Sequence, residues 1–192
     1  MTAALPGTAV SQYLLDKGAS RFTVRAFAGG MLSAMGHNPT IAVRDFTGEV
    51  NVDPADPGKG TLRMQIRADS LEVTDDIKNS DRKDMEGMMK QQVLQTAQYP
   101  NITFEGTATS ASRLSEGRFQ VSLDGTLSLR GATGHAPVTT QVILLGDMLR
   151  ASGEFSILQT DYGIPLVSVA GGALKLKDEL KFNFDIVARR QE

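Results

Sequence analysis

Apolar and polar residues alternate over long stretches of this chain, and this alternation constrains its fold more than any other feature. In residues 118–131 (RFQVSLDGTLSLRG) nearly every second residue is apolar, and the residues between them are polar. Because successive side chains of a strand point to opposite faces of a sheet, this pattern predicts a strand with one buried and one solvated face. The same alternation is clear at residues 61–68 and 180–189, and weaker at residues 12–16, 20–28, 40–52, 101–110, 137–145 and 148–158. We therefore expect about eight or nine strands, most of them antiparallel.

One long segment has the spacing of a helix instead. Between residues 80 and 98 the apolar side chains fall at i, i+3, i+4 and i+8, namely Met85, Met88, Met89 and Val93. This spacing places them on one helix face and predicts one main helix near residues 80–95. A shorter stretch, residues 29–39, has Met31 and Met35 at helical spacing and predicts a short helical insertion.

Many antiparallel strands with few helices can bury their apolar faces in two ways. They stack as a sandwich of two sheets, or they close into a barrel. Closure removes the exposed strand edges, and an eight-stranded barrel has room for one small ligand. The chain also has few large aromatic side chains to fill a two-sheet core, with 8 Phe, 3 Tyr and no Trp. These points favour the barrel.

Composition excludes several classes of protein. A chain of 192 residues predicts one domain, spanning residues 1–192. The net charge of −2, without a basic run, predicts neither a nucleic acid nor an anionic membrane surface as a partner. Without cysteine the chain has no disulfide, no thiolate metal site and no cysteine nucleophile. The apolar runs are far shorter than the ~20 residues that a membrane-spanning helix needs.

The amino terminus predicts a location in the cell. It has neither a basic region nor an unbroken apolar region before the first strand-like segment, so no secretory signal is recognisable. We expect a cytoplasmic protein, or a periplasmic or secreted one if a signal was removed before this sequence begins.

The chain lacks the sequence patterns of common catalytic and cofactor sites. It has no nucleotide-binding glycine motif, no nucleophile elbow and no H-E-x-x-H zinc motif. Its two histidines, His37 and His135, have no second ligand at helical spacing. We expect no enzyme activity, no cofactor and no metal. His37 and Asn38 still form a polar pair that could contact the polar end of a ligand. The alternative is a turn in which their side chains bond to the backbone.

The methionines allow two interpretations. Methionine is unbranched and polarizable, so it fills gaps in a core and also lines apolar grooves that adapt to flexible ligands. Met31, Met35, Met85, Met88 and Met89 lie in the two helical segments. Either these helices pack on the barrel, or they flank the mouth of an apolar cavity.

Six short stretches follow one another in a set order along the chain: residues 46–56 (FTGEVNVDPAD), 68–73 (ADSLEV) with 81–82 (DR), 98–104 (QYPNITF), 125–138 (GTLSLRGATGHAPV), 160–164 (TDYGI) and 178–180 (DEL). Taken together in this order, they resemble the YceI-like family of lipocalin-like, polyisoprenoid-binding proteins. The resemblance covers about residues 12–190. The chain departs from the family pattern at Gln159, where an arginine is common, and in residues 85–95, which lack the usual aromatic ending.

The resemblance implies an all-β, mainly antiparallel fold: an extended eight-stranded lipocalin-like barrel with one main α-helix and short helical insertions. It also implies that the protein binds and carries or sequesters a long-chain amphiphilic lipid, such as a polyisoprenoid, a quinone or a fatty-acid derivative. The candidate ligand-binding residues are Met31, Met35, His37, Asn38, Met85, Met88, Met89, Phe104, Leu127, Phe155, Phe182 and Phe184. Leu127 and Leu129 should face inward together with Phe182 and Phe184, because alternation places each pair on one face.

Two alternatives stay open. One is an enzyme that acts on a lipid-like substrate in the same cavity, with His37 as general base oriented by Asp45 or Asp161. The other is a non-catalytic interaction module that dimerises through an apolar edge.

Overall fold

The alternating segments form a single antiparallel sheet. The computed structural model describes residues 9–29, 38–169, 171 and 173–191. Within these residues there are thirteen strands: β1 (Ser11–Leu15), β2 (Arg21–Gly29), β3 (Thr40–Val43), β4 (Phe46–Asp53), β5 (Asp56–Arg67), β6 (Leu71–Val73), β7 (Asn101–Ser115), β8 (Arg118–Leu129), β9 (Ala132–His135), β10 (Val138–Leu145), β11 (Met148–Leu158), β12 (Ser168–Val169) and β13 (Leu174–Arg190). Helix α1 (Asn79–Met88) continues as a π-helical turn (Met89–Val93), and short 3₁₀ turns occupy Ala68–Ser70 and Gln159–Tyr162.

Eight of the strands close into a barrel. The order around the ring is β1-β4-β5-β7-β8-β10-β11-β13, and β13 pairs back onto β1. At the closure Leu15 lies opposite Ala188. The closed eight-stranded barrel and the single main helix predicted from the sequence are both confirmed.

Three more strands extend the barrel at one end. The long strand β13 pairs with β1 near its carboxyl end and with β2 over most of its length, where Phe182 lies opposite Val24. Strand β3 pairs with β2, and β6 pairs with β3. Helix α1 packs against β6, and the backbone N–H of Val73 donates to Glu86 Oε1 at 2.9 Å. We call this the helix end of the barrel. The opposite end, at the β7–β8 and β10–β11 turns, is the hairpin end.

The strands outnumber the eight or nine expected, for two reasons. The predicted strand at residues 40–52 is interrupted at Arg44 and Asp45, which separate β3 from β4. Strands β6, β9 and β12 contain two to four residues each, too few to show a period of two in the sequence. The short helical insertion predicted at residues 29–39 lies mostly outside the described residues.

The predicted facing of the strands is confirmed. Leu127 and Leu129 are 4% and 5% exposed and share the interior with Phe182 and Phe184, while Asn183 between the two phenylalanines is exposed. Register therefore follows the sequence period, since a slip by one residue would have turned the apolar set outward.

The barrel interior has two parts. At the hairpin end the interior is filled by a compact apolar cluster, here called the lower core, which contains Tyr13, Val52, Ala108, Val121, Val142, Leu149 and Ala188. At the helix end a larger apolar cluster surrounds open space. The two parts meet at half-buried side chains such as Leu15 and Leu123, which pack against both clusters.

A pair of glycines positions one of the aromatic side chains of the interior. Gly106 and Gly125 lie opposite each other on β7 and β8. The ring of Phe104 lies over them, and a Cβ atom on Gly125 would come within 2.6 Å of that ring. The missing side chains therefore let Phe104 lie close to the sheet instead of projecting into the open space.

Candidate ligand-binding site

The helix-end half of the barrel encloses a cavity of about 480 Å³. Among the described residues that line it, all are apolar except Thr140, Gln159 and Lys175. Its volume lies within the range of about 300–1,000 Å³ that is typical of small-molecule sites. An apolar cavity of this size is costly to leave empty, because its lining forgoes the dispersion contacts of a packed core.

Five phenylalanine rings form one side of the cavity. The ring of Phe155 on β11 stacks on Phe182 of β13, with 4.6 Å between centroids, and lies 6.4 Å from Phe184. Phe104 extends the cluster towards β7 at 6.3 Å from Phe155, and Phe22 extends it towards β2 at 6.1 Å from Phe182. These rings give the middle of the cavity a rigid aromatic surface.

Helix α1 and the π-helical turn provide a methionine-rich wall. Met85, Met88 and Met89, which share one helix face by their spacing, all line the cavity. The N–H of Leu94 donates to the carbonyl of Met89 at 2.8 Å, an i to i+5 bond, and both side chains are buried. The wider turn therefore keeps apolar side chains directed inward past the end of α1.

The two neutral polar residues of the lining are bonded to the backbone. Gln159 is 2% exposed, and its Nε2 donates to the carbonyl of Lys177 at 2.8 Å. Thr140 Oγ1 donates to the carbonyl of Ser152 at 3.0 Å. Both side chains thus satisfy part of their hydrogen-bonding capacity without a ligand.

An ion-dipole contact holds the turn that carries Gln159. The backbone N–H and the hydroxyl of Thr160 donate to the Asp178 carboxylate at 2.9 and 2.6 Å. These hydrogen bonds, the hydroxyl one first, lower the pKa of Asp178 below its ordinary value. The carboxylate therefore stays ionised and ties the turn to the start of β13.

Lys175 marks the mouth of the cavity. It is the only charged residue, and the only exposed one, among the described residues of the lining. It is the second residue of β13, at the helix end, where it lies opposite Gly29 of β2 and Ser168 of β12. A lysine at such a boundary can place its methylene stem against apolar surface and its ammonium group in water.

The structure brings together eight of the twelve residues predicted for the site. Met85, Met88, Met89, Phe104, Leu127, Phe155, Phe182 and Phe184 all line the one cavity. Asn38 is exposed at the helix end, and its Oδ1 accepts a hydrogen bond from the N–H of Ala28 at 2.8 Å. For Asn38, the structure therefore shows the second interpretation given above, a turn in which its side chain bonds to the backbone. Met31, Met35 and His37 lie outside the described residues.

Sequence reasoning missed several lining residues. Phe22, Val24 and Ala26 on β2 share the inner face, and the alternation at residues 20–28 was a sufficient signal for them. Alternation gave no such signal for Gln159, which lies in the 3₁₀ turn after β11, or for Lys175, since a polar residue in a strand ordinarily marks the outer face.

Neither of the carboxylates considered for catalysis lines the cavity. Asp45 accepts a hydrogen bond from Lys17, which lowers the pKa of that carboxyl, and Asp161 is exposed. The second histidine, His135, is exposed and bonds through Nε2 to Asp124 Oδ1 at 2.6 Å. Within the part of the chain that the structure describes, no cluster of three His, Cys, Asp or Glu side chains could hold a metal. In the same residues no helix is long and apolar enough to span a membrane.

Fold and site define a closed antiparallel barrel with an apolar cavity, a helix at the helix end and an exposed lysine in the cavity lining. A model of the YceI-like domain matches residues 13–188. The chain belongs to the YceI-like domain family. Comparison of the sequence with curated proteins gave no significant match.

Solved structures share this fold at low sequence identity. BcnA of Burkholderia cenocepacia is 18% identical, with a TM-score of 0.67 over 90% of this chain and 98% of that one. A polyisoprenoid binding domain from Saccharophagus degradans, implicated in plant cell wall breakdown, is 16% identical, with a TM-score of 0.67 over 95% of this chain and 100% of that one. The YCEI protein of Campylobacter jejuni is 16% identical, with a TM-score of 0.55 over 79% of this chain and 85% of that one.

Proposed function

We propose that this protein binds a long-chain amphiphilic lipid in the barrel cavity and carries or sequesters it. The observation that carries the proposal is the apolar cavity of about 480 Å³, which the protein's own side chains leave unfilled. Hydrocarbon is the ligand chemistry that such a lining recognises, since the two neutral polar residues are already bonded to the backbone.

Burial of the hydrocarbon supplies enough free energy for useful affinity. Each methylene taken from water contributes about 0.8 kcal/mol, so about fifteen contribute roughly 12 kcal/mol. Loss of ligand freedom costs about 4 kcal/mol or more, which leaves roughly 8 kcal/mol, a micromolar dissociation constant. No specific polar contact is required for binding at this strength.

The ligand's polar end would lie at the helix end of the barrel. The interior is solid at the hairpin end, and the exposed lining residue, Lys175, lies at the other. Asn38, which is exposed between β2 and β3, lies at that same end. A polar group there would remain in water while the chain is buried.

The ligand classes that fit are polyisoprenoids, isoprenoid quinones and fatty-acid derivatives. The cavity's combination of phenyl rings and methionines suits both branched and straight chains, because methionine adapts its shape. The similarity to the Saccharophagus degradans polyisoprenoid binding domain supports the first of these classes.

Native mass spectrometry of protein purified from its host would test the proposal. We expect an added mass that organic extraction identifies as a lipid. Phe155→Gln places an amide in the middle of the cavity and should lose that mass, whereas Glu154→Gln, at the exposed neighbouring position, should retain it.

Two other results would favour the alternatives. An empty chain of doubled mass would favour the dimeric interaction module. Chemical conversion of an added lipid would favour an enzyme.

A further inference from the structure

The cavity ends inside the barrel and does not pass through it. Tyr13, Val142 and Ala188 are 1%, 9% and 0% exposed, and none of them lines the cavity. They belong to the lower core, which fills the hairpin end. A chain that enters from the helix end therefore meets packed side chains before it reaches the hairpin turns.

Leu149 lies at the boundary between the cavity and the lower core. It is 3% exposed, it belongs to the lower core, and it also lines the cavity. Ala151, two residues along the same inner face of β11, lines the cavity as well and is only half-buried. Between Ala151 and Leu149, the inner face of β11 therefore passes from the open cavity to the packed side chains that close it, here called the floor of the cavity.

We propose that the lower core sets the maximum length of the bound hydrocarbon chain, and that Leu149 is the residue that determines it. This inference rests on the proposed function, because it concerns how the same cavity selects among lipids. Methylenes that reach Leu149 are buried, and any further methylenes must stay outside the mouth or fold back.

A fixed floor has a measurable signature. Each methylene buried contributes about fourfold to affinity, so affinity should rise steeply with chain length. The rise in affinity should stop at the chain length that reaches the floor, and we call this chain length the break. A tunnel open at both ends would show no such break, because longer chains would extend through it.

The experiment measures displacement of a dansyl-labelled fatty acid by straight-chain fatty acids of increasing length, for the wild-type protein and two variants. Leu149→Ala removes three carbons from the floor, so the break should move to longer chains by about three methylenes. Ala151→Leu adds three carbons to the wall just above the floor, so the break should move to shorter chains. General destabilisation cannot produce shifts in opposite directions.

Matched controls lie outside the cavity. Leu145→Ala makes the same truncation at the exposed last residue of β10, and Gln141→Leu adds a leucine at an exposed position of the same strand. Neither should move the break. Circular dichroism and thermal melts establish that all four variants are folded.

The outcomes separate this inference from the proposed function. If no fatty acid displaces the probe and the probe itself does not bind, the proposed function fails. If fatty acids bind but affinity rises without a break, or the break stays in place in both cavity variants, the floor assigned to Leu149 is wrong while lipid binding stands.

Discussion

The ring of Phe155 stacks on the ring of Phe182, with centroids 4.6 Å apart and planes 8° apart. The two residues lie directly opposite each other on β11 and β13, so the stack is a cross-strand pair on the inner face. Both rings line the cavity and neither is surrounded on all sides by protein. The two rings therefore form part of the cavity wall. This position should determine how much the free energy of unfolding falls when a wall phenylalanine is truncated.

Truncation of a wall phenylalanine should cost less than truncation of a core phenylalanine. Phe184→Ala enlarges an existing cavity, so we expect a loss of less than about 2 kcal/mol in the free energy of unfolding. Phe46 is 3% exposed and does not line the cavity, so Phe46→Ala should cost about 3–5 kcal/mol. Chemical denaturation of both variants measures the difference. Added lipid should restore stability to Phe184→Ala more than to Phe46→Ala, and equal losses without a lipid effect would contradict the cavity-wall assignment.

The methionines of the helix should contact the ligand chain. The double substitution Met88→Gln and Met89→Gln places two amides where hydrocarbon should lie, at a desolvation cost of about 1–3 kcal/mol each. We expect more than tenfold weaker binding of a fluorescent long-chain amphiphile. The control is Lys83→Gln with Asp84→Asn, two exposed positions on the same helix. Unchanged affinity in a folded double variant would leave these methionines with a packing role only.

The charge at the mouth should distinguish acids from alcohols. Lys175 is the only charged residue of the described lining, and residues 30–37 contain no acidic side chain. We therefore expect Lys175→Gln to weaken binding of a long-chain fatty acid several-fold and to leave binding of the corresponding fatty alcohol unchanged. Lys177→Gln, an exposed lysine on the same strand, serves as the control. Equal effects on acid and alcohol would show that Lys175 acts through its stem alone.

Asp178 should make the stability of the protein depend on pH at the acidic end. Hydrogen bonds from Thr160 lower the pKa of this carboxyl in the folded state, so ionisation favours folding. The stabilisation is present above the ordinary pKa of an aspartate, about 3.9, and is lost as the pH falls through the lowered value. Thermal melts over a series of acidic pH values should therefore show a smaller decline for Asp178→Asn than for the wild-type protein. Parallel curves would mean that the contact with Thr160 has no effect on stability.

Local periodicity was enough to predict much of the site. A spacing of 3.6 put Met88 on one face with the other helix methionines, and a period of 2 put Phe182 on the inner face of its strand; both periods depend only on backbone geometry. The same reasoning could have found Phe22 on β2. It could not find Gln159, whose buried amide depends on a carbonyl of Lys177, eighteen residues further along the chain.

The sequence by itself determined which side chains face inward, because the period of a strand or a helix is a local property of the backbone. Only the tertiary structure showed which strands close the barrel, since closure requires β1 and β13, which lie far apart in the sequence, to pair. It also decided where the interior is solid and where it is open. That outcome depends on the summed volume of inward side chains from eight strands, which packs Leu149 into the lower core and leaves Ala151, two residues away, beside open space.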